Sequence, residues 1–180
     1  VGIAACTDPL PLDLVITNAR IVDGTGAPWY RADIAIRGGT IAEIGSLAGR
    51  PARRVIDAGD RVVAPGFIDL MGGSSLPLVR DPESALSKLA QGITTMLVGE
   101  GGSPAPQNEK TLADAGPGAD TIITWRTYRE YFALLESRGI ALNVVHNVGA
   151  AQVRLAVIGE EGRAPTPDEL AQMQALVREA

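Results

Sequence analysis

The pattern of apolar residues changes at Pro65-Gly66, and that change limits the chain to two kinds of structure in series. Before it, short runs of β-branched residues are broken by turn signals every few positions. Residues 13–22 end at Asp23-Gly24-Thr25-Gly26, and 32–37 alternate polar with apolar up to Gly38-Gly39. Residues 40–45 then supply the return strand of a two-residue hairpin. Residues 55–57 and 61–64 are expected as a further pair around Ala58-Gly59-Asp60. The spacing predicts a small antiparallel β unit over 13–65.

After the break the period lengthens. A short apolar strand at 67–70 precedes a helix at 82–91, stopped by Gly92, and a second buried strand at 93–98. A glycine- and proline-rich excursion runs from Gly99 to about Thr121. Residues 125–138 carry Tyr128, Tyr131, Phe132 and Leu135 at spacings of three and four, the mark of an amphipathic helix, closed by Gly139. A third strand is predicted at 140–145. Thr166-Pro167-Asp168-Glu169 then opens a last helix with a capping box. Strand alternating with helix is the rhythm of a parallel α/β sheet. A closed (β/α)8 barrel needs eight such units and typically ~250 residues. The fold class is therefore α/β: a β unit followed over 66–180 by three βα units, too few to close such a barrel and so read as truncated, the alternative being a complete small α/β domain.

Charge and cysteine content narrow the partners. A net charge of −5 offers no basic face for phosphates, so no nucleic-acid partner is expected. The first residue is Val1, and residues 1–12 read as a tether. Within it, Ile3-Ala4-Ala5-Cys6 has the form of a lipobox, and Cys6 is the only cysteine, so no internal disulfide can form. On that reading a signal peptide precedes Cys6, which is acylated, and the protein is membrane-attached outside the cytoplasm. The alternative is a chance match in a cytoplasmic protein.

Four stretches carry a family resemblance. Asp13-Leu14-Val15-Ile16-Thr17-Asn18-Ala19-Arg20-Ile21-Val22-Asp23-Gly24, then Val63-Ala64-Pro65-Gly66-Phe67-Ile68-Asp69, resemble the opening of the amidohydrolase superfamily. Gln91-Gly92-Ile93-Thr94-Thr95 is similar to that family's second barrel strand, and 162–170 to a helix start of its N-acyl-D-amino-acid deacylase (D-aminoacylase-like) group. The resemblance implies a small β-sandwich beside a (β/α)8 barrel. It further implies metal-dependent hydrolysis of an amide or related C–N bond in a small-molecule substrate, an N-acylated amino acid.

The departures bear on the chemistry. The family's His-x-His, two imidazoles that reach one zinc, falls at Met71 and Gly73. Its loop cysteine falls at Gly101, and a histidine carried by many relatives falls at Ala150. A thioether is a poor ligand for zinc, and glycine has no side chain. The resemblance then implies one divalent metal, zinc, held by later strands, with none held by this chain alone. Glu100 is the candidate ligand in place of the cysteine, or else a loop carboxylate bonded to backbone amides. Asp69 and His146 are the catalytic candidates. Asp69 is more readily a residue bonded to backbone, and the single histidine more readily a structural one. Trp29 and Trp125 read as packing residues, and Arg126, Arg129 and Arg138 as a solvated face. The glycines of 99–102 lack the Gly-Lys-Ser/Thr of a phosphate cradle. Two other functions compete with hydrolysis: a non-catalytic relative that binds a ligand without turnover, and a short interaction module.

Overall fold

The computed structural model describes residues 11–99 and 102–180 in two compact units, divided in sequence between Pro65 and Gly66. Cys6 and most of the tether, Glu100 and Gly101 lie outside the described residues.

The first unit is a five-stranded sheet: β1 (Leu12–Ile21), β2 (Tyr30–Arg37), β3 (Thr40–Gly45), β4 (Ala52–Asp57) and β5 (Val62–Val63). The order is β3-β2-β1-β4, with β5 also beside β1. As expected, β1 pairs antiparallel with β2, and β2 with β3. The expected pairing of 55–57 with 61–64 does not form. Both β4 and β5 run parallel to β1, so the sheet is mixed rather than antiparallel. β1 carries a bulge, its register with β2 shifting between Ile16 and Ala19. Asn18 takes the left-handed conformation there (φ 56°), which asparagine tolerates better than most residues. The turn after β4 follows that bulge: Ala58 N–H donates to Thr17 O (2.8 Å), and Asp60 N–H to Asn18 O (2.9 Å). The Asn18 amide also donates to Asp57 Oδ1 (2.9 Å). Residues 52–63 are thus one interrupted edge laid along β1. Val15 and Ala35 form one buried cluster with Leu12 and Leu47. Ala19, Ile21, Ile34 and Ala58 form another. Trp29 departs from the packing expectation: it is half exposed, with the guanidinium carbons of Arg20 and Arg31 5.5 and 5.9 Å from its ring centroid.

The second unit holds a parallel sheet in the order β6 (Phe67–Asp69), β7 (Ile93–Val98), β8 (Asn143–His146). Its helices are α1 (Leu76–Arg80), α2 (Leu86–Leu89), α3 (Glu109–Asp114), α4 (Ala119–Ile122), α5 (Tyr128–Arg138), α6 (Ala150–Ile158) and α7 (Pro167–Glu179). The single helix expected at 82–91 is instead α1, a 3-10 turn at Pro82–Ala85, and α2. Asp81 separates them, because its carboxylate accepts from Glu83 N–H and caps the second segment. The excursion after β7 contains α3 and α4, and α6 has no counterpart in the sequence reading. Its run Ala150–Ile158 is apolar nearly all round, so it shows no helical period. Met96 and Val98 of β7 point to one side and are buried with Trp125, Tyr131 and Leu135. That cluster is the core of the unit.

Candidate active site

In parallel α/β sheets ligands bind at the carboxyl ends of the strands, here those of β6, β7 and β8. The loop after β6 crosses close to β7. Gly72 N–H donates to Leu97 O (2.8 Å), and a Cβ on Gly72 would lie 2.8 Å from both Leu97 O and Val98 Cγ1. Gly73 follows at φ +72°, a conformation that L side chains rarely adopt. Gly99, at φ +100°, leaves no room for a Cβ either, since one would stand 2.8 Å from Asn147 O. Met71 is 77% exposed. The place of the family's His-x-His is therefore a tight glycine crossing beside an exposed thioether.

Asp69 ends β6. Its carboxylate accepts from Lys88 Nζ and from Met71 N–H (3.1 Å). The Lys88 ammonium first, then the Met71 amide, hold its carboxyl below the usual range. These bonds tie β6 to α2 and to its own loop.

His146 ends β8, with its ring packed against Tyr128, Tyr131 and Phe132 of α5. Its Nε2 lies 2.8 Å from Ser75 Oγ, and the Tyr131 hydroxyl donates to the same oxygen. The ring packs edge-on against Tyr131 (centroids 5.3 Å) and is flanked by Tyr128 and Phe132. Nδ1 is buried with no partner among the described residues. Burial pushes the imidazole down to about 4, so it is neutral at ordinary pH. Ser75, Tyr131 and His146 thus join the loop after β6, α5 and β8.

Ser103 makes a second tie. Its Oγ accepts from Gly149 N–H (2.6 Å) and donates to Asn147 O (3.3 Å), which the Tyr128 hydroxyl also reaches (2.8 Å). Ser75 and Ser103 escaped the sequence reading because each lies in a loop and finds its partners 71 and 46 residues away. Ala150 is exposed at the start of α6 and brings no donor atom. Among the described residues no group of three or more His, Cys, Asp or Glu side chains could hold a metal ion. A zinc centre does not fit the described residues.

Residues 3–66 match the family profile of the urease alpha-subunit N-terminal domain. Over 172 residues the chain is 40% identical to the N-acyl-D-glutamate deacylase of Alcaligenes xylosoxydans xylosoxydans, covering 94% of this chain and 35% of that one. A crystal structure of N-acyl-D-glutamate deacylase from Bordetella bronchiseptica, complexed with zinc and a phosphonate that mimics the tetrahedral intermediate, superposes with a TM-score of 0.77. It is 40% identical, with 93% of this chain and 35% of that one covered. A D-aminoacylase structure solved to study its binuclear metal centre gives a TM-score of 0.79 at 32% identity, covering 94% of this chain and 36% of that one. The chain thus spans about a third of the length of the relatives it matches. With both units accounted for, it belongs to the amidohydrolase superfamily, in the D-aminoacylase-like group, and corresponds to the N-terminal region of those proteins.

Proposed function

We propose that the protein of which this chain is part hydrolyses an amide C–N bond in an N-acyl D-amino acid or a related compound. The observation that carries this reading is the 40% identity to an N-acyl-D-glutamate deacylase along nearly the whole chain. A divalent cation, zinc in this reading, would take its ligands from outside the described residues. Glu100, outside the described residues, remains the candidate ligand within this chain. What the described residues contribute is shape: glycines 72, 73 and 99 let backbone approach backbone, and Asp69 and His146 hold the loops around them. The empty positions Met71, Gly73 and Ala150 favour one second reading, a relative that binds its ligand without turnover. The test is purified full-length protein, assayed for metal content and for release of free amino acid from a panel of N-acetyl-D-amino acids. Turnover with bound metal supports the hydrolase. A folded, metal-free protein that is silent across the panel leaves the binding relative. Cys6 carries a separate proposal, lipid attachment outside the cytoplasm. Fatty-acid labelling of wild type but not of Cys6→Ser is the expected result, and equal labelling or none rejects it.

A further inference from the structure

All four buried polar side chains of the described residues, Ser75, Ser103, Gln107 and Thr111, border one cavity. Its volume is about 440 Å³, within the range of small-molecule sites. It lies between the loop after β6 and the excursion after β7, with Ile123 on one side and Gln152 of α6 on another. The buried groups are bonded to one another and to backbone. Thr111 Oγ1 donates to Gln107 Oε1 (2.7 Å), Gln107 Nε2 donates to Pro104 O (2.9 Å), and Ser75 and Ser103 make the ties described above. Such a satisfied network is a rigid frame.

Three polar groups on the cavity surface keep unused capacity. Ser74 Oγ accepts from Leu76 N–H (3.2 Å), and its own hydrogen has no acceptor among the described residues. Gln152 Nε2 donates to Pro106 O (2.9 Å), while its Oε1 has no partner among the described residues. Asp114 stands exposed at the rim, with its carboxylate unpaired among those residues. No lysine, arginine or histidine is among the described lining. Leu76 and Ile123 give an apolar wall.

We propose that this cavity binds a short aliphatic carboxamide group. A primary amide carries an acceptor and donors on neighbouring atoms. Its carbonyl suits the free Ser74 hydroxyl, its NH2 suits Gln152 Oε1 or Asp114, and its alkyl stem suits the Leu76 and Ile123 wall. The isosteric carboxylate is rejected, because a desolvated anion would meet no cation and would face Asp114. The site is built from the loop after β6, the 102–123 excursion and α6, and of the family's ligand positions named above its described lining includes only Gly73, which has no side chain. It does not rest on the hydrolytic reading.

The test compares butyramide with butyrate, equal in shape and different in charge, by ¹H–¹⁵N NMR titration of the intact protein near neutral pH. Butyramide shifts the amides of Thr111, Ile123 and Gln152, and butyrate does not. Gln152→Leu weakens butyramide several-fold, the loss of about one hydrogen bond. Ser74→Ala, in an exposed loop, serves as the second variant should Gln152→Leu fail to fold. Equal response to the two probes, no butyramide response up to its solubility, or unchanged affinity in a folded variant overturns the proposal.

Discussion

A proton on His146 would find the Ser75 oxygen on one side of the ring and no acceptor on the other, since Nδ1 is buried without a partner among the described residues. The titratable groups that face it, Tyr128 and Tyr131, are themselves pushed up by burial and carry no charge to offset the imidazolium. The folded group therefore titrates near 4, below the ordinary 6.5. As pH falls below about 6.5, the unfolded chain binds a proton that the folded chain refuses, so stability is lost down to about pH 4 and levels off beneath it. Urea midpoints of wild type should fall more steeply between pH 7 and 4.5 than those of His146→Phe. Parallel curves would assign the acid loss to carboxylates alone. The sequence singled out His146 because it is the only histidine. It could not reveal the ring's direction, which depends on Tyr131, a residue legible only as one apolar position of a helix.

Helix starts were legible where their chemistry is local. Thr166 accepts from Glu169 N–H, and Glu169 from Thr166 N–H, the reciprocal pair expected from the motif. The Arg163 guanidinium first, then the Thr166 amide, bring the Glu169 carboxyl down to about 2. Thr127 and Glu130 make the same box on α5. The two boxes differ in what they hold. Helix α5 buries Tyr128, Tyr131 and Leu135, whereas α7 buries no residue fully. Thr127→Ala should therefore cost about 1 kcal/mol of global stability by urea unfolding. Thr166→Ala should instead speed hydrogen exchange in the first turn of α7 with a smaller global effect. Equal global losses would show that α7 is as firmly built in as α5. Strand direction was not legible. β-branched runs at 55–57 and 61–64 announce strands, but each pairs with β1, on either side of its bulge at Asn18, and not with the other.

At the scale of the whole molecule, the three-stranded parallel sheet was legible. Its consequence lies on the face turned away from α5. Parallel sheets are ordinarily covered on both faces. Here Met96 and Val98 are buried on one side, while Ile68 and Val145 on the other are 62% and 51% exposed. Ile68 pairs with Thr95, and Val145 with Leu97, so the four share one face across all three strands. Isolated exposed apolar residues are ordinary, but a strip across a sheet marks a surface that associates. The 180-residue polypeptide should accordingly enhance the fluorescence of anilinonaphthalene sulfonate and sediment as concentration-dependent oligomers. The double variant Ile68→Lys, Val145→Lys should reduce both signals while keeping its circular dichroism, because neither side chain contributes to the buried cluster around Trp125. A monomeric, dye-silent wild-type chain would mean that this face is covered in solution by residues of the same polypeptide.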